Sequence, residues 1–201
     1  DSEQPVATPT PTPSASFILS GMGIKGPLIN ADVSIYTVDE SKSDFKGDLV
    51  ASGRTDEQAK VIDVEISEPL SDGYIIEFSA NENTIDLTTG EAPVIRHLLS
   101  FLSKSEVENN TELYASPLST IAIKIATNLD DSQNFDEKMA DASAITRSTL
   151  GFGIDDSVNL FTHAPLLSDA QNDLAQQQQT VLYRGAIEAT AALIHAVANS
   201  S

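Results

Sequence analysis

The sequence contains no cysteine and no tryptophan among its 201 residues, and positively charged residues are scarce. Without cysteine the chain cannot form disulfides, use a thiol nucleophile, or hold zinc or iron–sulfur clusters through thiolates. Lys and Arg number 11 against 30 Asp and Glu, which gives a formal net charge of −19. Phosphate backbones and anionic lipids repel such a chain, so we exclude nucleic acid and membrane surfaces as partners.

The sequence also lacks a long hydrophobic run. A transmembrane helix needs about 20 predominantly apolar residues, and we find no such stretch and no signal segment. We therefore predict no transmembrane segment. The chain begins with Asp1 rather than Met, which indicates a processed or trimmed product. Its hydrophobic content of 40% is enough for a core, and its length fits one or two domains.

Threonine and proline alternate from Thr8 to Pro13. Proline fixes φ and removes an amide donor, so this stretch is expected to stay extended and solvated. We assign residues 1–15 to an extended spacer. Such a spacer holds a folded domain away from an anchor or a wall; the alternative is a tail without a role.

Apolar residues recur at every second position through much of the segment 17–101. The clearest runs are 31–35, 62–66 and 74–78. This period is typical of strands with one face on a core and one face in water. Turn sequences separate the runs at a spacing of about ten residues, which indicates a β-sandwich. Residues 94–102 fit either a short helix or a strand.

A glycine motif lies at residues 21–26, where the sequence GMGIKG fits the dinucleotide-binding pattern G-x-G-x-x-G. That pattern binds a pyrophosphate only where it opens a helix. Here Pro27 and another alternating segment follow. We therefore interpret these glycines as strand and turn geometry.

Three helices are predicted in the second half. Ser116 followed by Pro117 is a strong helix start. Asn134 with Glu137 predicts a capping box for the second helix, which Gly151 ends. The third and longest helix is expected to begin at Ser168 or Asp169. The predicted buried faces comprise Leu118, Ile121, Ala122, Ile125 and Leu129; Phe135, Met139, Ala142 and Ile145; and Leu174, Val181, Leu182, Ala186, Ala189, Leu193 and Val197.

Residues 20–36, with the sequence SGMGIKGPLINADVSIY, resemble the opening strands of carboxypeptidase regulatory-like (transthyretin-like) β-sandwich domains of exported bacterial proteins. Residues 114–120 (YASPLST) and 149–156 (TLGFGIDD) are similar to a helix start and a glycine-containing break in the helical module of the same proteins. The resemblance favours a strand for residues 94–102.

Pattern and resemblance together predict an α+β fold. We expect an N-terminal antiparallel β-sandwich of the transthyretin/Ig-like type over residues 16–103, followed by a three-helix C-terminal domain over residues 104–201.

The resemblance implies a bacterial protein that is exported and is extracellular, at the cell surface or an outer-membrane lipoprotein. It brings no catalytic residues, so we expect a non-enzymatic module for adhesion, scaffolding or recognition of an unidentified protein or surface. A second version is a homo-oligomer or filament in which the N-terminal segment docks on a neighbouring copy. The alternative is a small-molecule-binding or hydrolytic envelope protein with a site at the junction of sandwich and helices.

The chemistry-bearing residues form no recognised catalytic motif. His97, His163 and His195 lie far apart in sequence, and no serine sits in a G-x-S-x-G elbow. A pocket that brings His97 near Asp or Ser side chains would favour the alternative.

Carboxylates are in excess, and Asp130, Asp131 and Asp136 are the candidate ligands for calcium, which prefers hard oxygens. No EF-hand spacing is present, and acids at helix starts also serve as caps. We expect no other cofactor. A second cluster comprises Asp155, Asp156 and Asn159.

Overall fold

The computed structural model describes residues 15–130, 132–165 and 173–199. These residues form eleven strands and four helices, which confirms the α+β class. The strands are β1 (Ser16–Ile18), β2 (Gly21–Gly23), β3 (Leu28–Ile29), β4 (Asp32–Val38), β5 (Lys46–Thr55), β6 (Val61–Ile62), β7 (Glu65–Ser67), β8 (Gly73–Ser79), β9 (Ile85–Asp86), β10 (His97–Ser103) and β11 (Leu113–Ala115). The helices are α1 (Lys104–Glu108), α2 (Pro117–Ala126), α3 (Phe135–Leu150) and α4 (Leu174–Asn199). Most of the predicted spacer lies outside the described residues.

An antiparallel five-stranded sheet organises the described part of the chain, in the order β10-β8-β4-β5-β6. Ile35 of β4 lies between Ala51 of β5 and Ile76 of β8 in the register. Three two-stranded ladders accompany the sheet: β1 with β7 and β3 with β9, both antiparallel, and β2 with β11, parallel.

The large sheet has a hydrophobic core on each face. Successive residues of a strand point to opposite faces. Tyr74 and Ile76 of β8 therefore join a first core with residues of the short strands. Ile75 joins a second core with α2, α3 and α4. The prediction that β8 turns one face to water is wrong at Ile75, which is fully buried because the helices cover it.

β10 confirms the strand interpretation of the ambiguous segment. Leu98 and Leu102 enter the first core, whereas Leu99 and Phe101 enter the second. Because both faces of this strand are covered, apolar residues occupy both sets of alternating positions, and the sequence carries no clear period of two.

The glycine motif lies on β2 and the turn after it, as interpreted from the sequence. A Cβ at Gly21 would overlap the carbonyl oxygen of Leu113, its partner in the parallel ladder. A Cβ at Gly26 would overlap the carboxylate of Asp86, which accepts a hydrogen bond from the Gly26 amide at 3.2 Å. Close backbone approach accounts for these glycines.

Helices α2 and α3 begin at the predicted caps. Ser116 and Asn134 both form capping boxes, with Ser119 and Glu137 respectively. Gly151 is the C-cap of α3. α1, whose capping box joins Ser103 and Glu106, was not predicted, so the described residues hold four helices where three were expected.

The predicted buried face of α4 is largely wrong. The side chains of Leu174, Val181, Leu193 and Val197 are 78%, 56%, 54% and 59% exposed. The buried face lies on the other side of the helix and comprises Thr180, Tyr183, Ala186, Ile187, Thr190 and Ala191. The predicted starts, Ser168 and Asp169, lie outside the described residues.

The other two predicted faces are partly correct. In α2, Leu118 and Ala122 are fully buried, and in α3 Met139 and Ala142 are buried. Ile145 was expected inside but is 42% exposed. Its neighbour Thr146 is buried instead and donates its hydroxyl to the carbonyl oxygen of Ala142 at 2.8 Å. A threonine that satisfies its hydroxyl within its own helix can replace an apolar residue in a core.

Candidate functional site

A cleft of about 1040 Å³ lies where one end of the sheet meets α1 and α3. We call it the junction cleft. It is bordered by the end of β4, the start of β8, the β10–α1 connection and the start of α3. Val38, Leu70 and Phe135 supply its apolar lining, and Lys104 is the one basic residue in the described lining. Its acidic residues are Asp39, Glu40, Asp72, Glu108 and Asp136.

Two of these acids have partners within the chain. The carboxylate of Asp39 accepts hydrogen bonds from the hydroxyl and amide of Ser41, at 2.6 and 3.0 Å. These bonds lower the pKa of Asp39 because they stabilise the ionised form. Glu40 lies 3.3 Å from Nζ of Lys138, a lysine that is only 3% exposed.

The other three acids have no such partner among the described residues. The side chains of Asp72, Glu108 and Asp136 form no hydrogen bond or ion pair in that part of the chain. These three carboxylates, without a partner among the described residues, make the junction cleft electronegative, and its apolar lining makes it partly apolar. Such a surface is suited to bind a positively charged group that is attached to an apolar one.

The structure describes two of the three candidate calcium ligands, Asp130 and Asp136, and places them in different surroundings. Asp136 lies in the first turn of α3 and lines the junction cleft. Asp130 accepts a 2.9 Å hydrogen bond from the amide of Ser132, and its bonds to Ser132 lower its pKa. Asp131 lies outside the described residues. Within the described ranges no three His, Asp or Glu side chains are grouped closely enough to hold a metal ion. The calcium site stays a prediction.

The second acidic cluster serves local turns. Asp155 accepts a 2.8 Å hydrogen bond from the amide of Ser157, and its bonds to Ser157 lower its pKa. Asn159 accepts a 2.8 Å bond from the amide of Phe161 through Oδ1. Asp156 is fully exposed, with Oδ1 3.8 Å from Nε of Arg147.

A second cleft of about 320 Å³, which we call the α3 cleft, lies beside the same helix. Phe101, Met139 and Phe161 form its apolar wall. Arg147 also lines it and donates from Nη1 to the carbonyl oxygen of Val158 at 3.2 Å. Its Nε is buried without a hydrogen bond among the described residues.

Two of the histidines differ in environment. Nδ1 of His97 lies 3.2 Å from Oγ of Ser79 and 3.3 Å from Oε1 of Glu77, on an exposed part of the sheet. Both neighbours contact the same ring nitrogen. His163 packs against the ring of Tyr183 with centroids 5.9 Å apart, and burial lowers its pKa. The remaining histidine, His195, is exposed on α4.

Arg147, Lys138 and the border of the junction cleft were not predicted from the sequence. Lys138 and Arg147 are charged residues of an amphipathic helix, and such residues are ordinarily solvated. No sequence pattern distinguishes these two from charged residues that face water. The border comes from segments far apart in the chain, around residues 39, 72, 104 and 135.

Of the described helices, α4 is long and apolar enough to cross a membrane, judged by length and composition alone. About a quarter of it is buried inside the protein, with Tyr183 and Ile187 in the second core. Core helices of soluble proteins share these properties. The absence of a transmembrane segment therefore stays a prediction.

No known family model matches the chain, and no curated protein is similar to it. The resemblance to carboxypeptidase regulatory-like domains therefore rests on the sequence motifs alone.

Proposed function

We propose that the chain is a recognition module without enzymatic activity, with the junction cleft as its binding site. It belongs to an exported bacterial protein, at the cell surface, as an outer-membrane lipoprotein or extracellular. The large sheet and its short companion strands are the β-sandwich of this module, of the transthyretin/Ig-like type. The helices α2, α3 and α4 are its three-helix domain. The motifs at residues 20–36 and 114–120 support this assignment.

The observation that carries the proposal is a set of three carboxylates that line the junction cleft together with Phe135 and have no side-chain partner in the part of the chain that the structure describes. Asp72 precedes β8, Glu108 ends α1 and Asp136 lies in the first turn of α3, so only the folded chain brings them together. We infer that the partner presents a lysine- or arginine-rich segment. Exposed ion pairs contribute about 0.2–1 kcal/mol each, so several are needed, and their sum falls as salt rises.

The geometry around His97 supports a module without hydrolytic activity. In a nucleophile–base–acid arrangement, the serine and the carboxylate contact different ring nitrogens of the histidine. Ser79 and Glu77 both contact Nδ1, and the side chain of His97 is 65% exposed. This cluster therefore lacks both the arrangement of contacts on the two ring nitrogens and the burial that activate a serine.

The test compares two triple variants that remove the same charge. One is Asp72→Asn/Glu108→Gln/Asp136→Asn in the junction cleft; the control is Asp48→Asn/Glu57→Gln/Glu82→Gln, at exposed positions elsewhere. The probe is a fluorescent oligolysine peptide that contains one phenylalanine, and anisotropy measures binding. We expect the cleft variant to lose at least about tenfold in affinity, equivalent to about 1.4 kcal/mol. Equal losses in both variants, or no binding by the wild type, would contradict the proposal.

A small-molecule carrier is the second candidate, and Nε of Arg147 in the α3 cleft favours it, because this buried atom forms no hydrogen bond among the described residues and has only Oδ1 of Asp156 at 3.8 Å. A cleft of about 320 Å³ falls at the lower end of small-ligand sites. Arg147 would anchor a carboxylate. A thermal-shift screen of small carboxylates tests this candidate. A hit should disappear in Arg147→Lys, which retains the charge but not the planar fork; a hit that persists in that variant contradicts the assignment.

The filament version places the N-terminal segment on a neighbouring copy. The position of Ala15 favours it, since its carbonyl accepts a 3.0 Å hydrogen bond from the amide of Glu68 at the exposed β1–β7 ladder. Deletion of residues 1–14 should then abolish chain-to-chain assembly, which light scattering measures. Assembly that persists in the deletion would contradict this version.

A further inference from the structure

The junction cleft and the α3 cleft meet at the start of α3. Asp136, in the first turn of that helix, lines both clefts. Helix α1 also borders both, because Glu108 lines the junction cleft and Glu106 lines the α3 cleft. The two clefts are therefore adjoining parts of one depression, which we call the long groove.

A row of aromatic rings joins the two parts. Phe135 lines the junction cleft, whereas Phe101 and Phe161 line the α3 cleft. The ring of Phe101 packs against both of the others, with centroids 5.2 Å from Phe135 and 5.9 Å from Phe161. The apolar surface of the long groove thus continues from one cleft into the other.

The long groove carries opposite charges at its two ends. The described lining of the junction cleft has five acids and one lysine, and Asp72, Glu108 and Asp136 have no side-chain partner in the described chain. At the other end, Arg147 is the only basic residue in the described lining of the α3 cleft. A ligand complementary to this groove therefore carries positive charges at one end and a negative charge at the other.

The guanidinium of Arg147 is held in place but keeps one donor without an acceptor. Its Nη1 donates to the carbonyl oxygen of Val158 at 3.2 Å. Its buried Nε forms no hydrogen bond among the described residues, and Oδ1 of the fully exposed Asp156 lies 3.8 Å away, beyond hydrogen-bond distance. The carboxylate of Glu106 is occupied elsewhere, since it accepts from the amide and hydroxyl of Ser103. A carboxylate that displaces the exposed aspartate can accept from this Nε–H.

Helix α3 sets the length of the ligand. Residues that line the α3 cleft recur along the helix at intervals of three or four, so they lie on one face: Asp136, Met139, Ser143 and Arg147. At 1.5 Å per residue, the first and the last of these are about 16 Å apart along the helix. An extended peptide covers that distance with about five residues, at about 3.3 Å each.

We propose that the long groove binds the carboxyl-terminal segment of a basic protein in an extended conformation. The terminal carboxylate pairs with Arg147, and an apolar side chain near the end packs against Phe101 and Met139. Basic residues about five positions before the end reach Asp136 and the junction cleft. The inference rests on the proposed function, because it extends the binding site of the junction cleft and specifies the partner.

A chain terminus suits the position of Arg147 better than the middle of a chain does. The loop of residues 156–161 lines the α3 cleft, and Val158 of this loop is hydrogen-bonded to Arg147. A partner that ends at Arg147 needs no path past the loop, whereas a partner that continues does.

Two versions of the fluorescent oligolysine peptide test the proposal. In both, about five residues separate the last lysine from the carboxyl end, and the phenylalanine lies between them. One version ends in a free carboxylate and the other in a carboxamide. We expect the wild type to bind the carboxylate version at least about tenfold more tightly, measured by anisotropy. Equal affinities would overturn this inference and leave the proposed function intact, whereas no binding of either version would contradict both.

Arg147→Gln should remove the preference for the carboxylate and keep the affinity for the carboxamide, which also shows that the variant is folded. The matched control Arg54→Gln, at an exposed position of β5, should retain the preference. A preference that persists in Arg147→Gln overturns the proposal. Loss of affinity for both versions in a variant with an unchanged circular dichroism spectrum would mean that Arg147 contacts a peptide carbonyl, and would overturn it as well.

Asp156→Asn provides a second variant, at a fully exposed side chain where folding is not at risk. It removes the carboxylate that lies nearest to Nε of Arg147. The ratio of the two affinities should therefore rise in favour of the carboxylate version, by about two- to fivefold for an exposed pair. An unchanged ratio would contradict the pairing of the terminal carboxylate with Arg147.

A small competitor separates the peptide from a small-molecule ligand of the α3 cleft. N-acetylphenylalanine carries the apolar ring and the carboxylate but no lysine. It should displace the carboxylate peptide only at concentrations at least about a hundredfold higher than the unlabelled peptide requires. Displacement at similar concentrations would assign the α3 cleft to a small carboxylate and overturn the proposal.

Discussion

The backbone amide of Leu99 in β10 donates a 2.8 Å hydrogen bond to Oγ1 of Thr120 in α2. The carbonyl oxygen of Leu99 accepts a 2.5 Å bond from Oγ of Ser119. β10 is an edge strand of the large sheet, and Leu99 is only 3% exposed. Side chains of α2 thus form the hydrogen bonds that the backbone of a neighbouring strand would otherwise form at this buried edge. These bonds join the helical part of the chain to the sheet.

Thr120→Val should therefore destabilise the protein. The substitution keeps the shape of the side chain but leaves the buried amide of Leu99 without an acceptor, at a cost of about 1–3 kcal/mol. Urea unfolding followed by circular dichroism measures the change. Thr127→Val is the matched control at the other end of α2, where the hydroxyl donates to the carbonyl of Lys124 and accepts from Nδ2 of Asn128, both at exposed positions. Equal stability losses in the two variants would contradict the role of Thr120.

Tyr183→Phe should also destabilise the fold. Tyr183 is fully buried, and its hydroxyl donates to the carbonyl oxygen of Leu160 at 2.9 Å. Burial raises the pKa of the phenol, so it remains a protonated donor. Its removal leaves a buried carbonyl unpaired, and we expect a loss of about 1–2 kcal/mol in the free energy of unfolding. Tyr36→Phe, at a partly exposed tyrosine of β4, should change stability by less than about 0.5 kcal/mol.

His163 should make stability depend on pH. Burial holds its pKa below the ordinary value of 6.5, so the unfolded chain takes up the proton first as pH falls. The wild type should lose stability as pH falls through about 6.5 and below, until the folded histidine is also protonated.

His163→Phe keeps the ring beside Tyr183 and removes the titrating group. The free energy of unfolding of this variant should therefore fall less than that of the wild type between about pH 8 and about pH 5. The two proteins differ only at this position, so the difference between the two profiles isolates His163. Parallel profiles would contradict the prediction.

Calcium should change the melting temperature only if Asp130, Asp131 and Asp136 form a site. The Asp130 carboxylate already accepts from Ser132, and Asp136 lies at the start of a helix, where a negative charge is favourable without metal. We therefore expect the same Tm with calcium as with a chelator. A rise with calcium that Asp136→Asn abolishes would establish the metal site instead.

Local signals in the sequence were sufficient for the starts of α2 and α3 and for several strands. A cap acts within a few residues of itself, so Ser116 and Asn134 could be assigned without knowledge of the fold. The glycines at positions 21 and 26 were likewise interpretable, because no helix follows them. The candidate site was not predictable. Asp72, Glu108 and Asp136 are distant in sequence, and only the packing of α3 against the sheet brings them to one cleft.

By itself, the sequence determined the α+β class, the caps of α2 and α3, and the absence of thiol chemistry. These properties depend on composition and on neighbours a few residues apart. Only the tertiary structure decided which side of α4 is inside and that Ile75 is covered. A helix that is apolar or small on most of its circumference has no preferred side until a specific contact fixes one. In α4 that contact is the hydrogen bond from Tyr183 to Leu160, together with the burial of Ile187. These two contacts turn the opposite side of the helix, which includes Gly185, toward solvent.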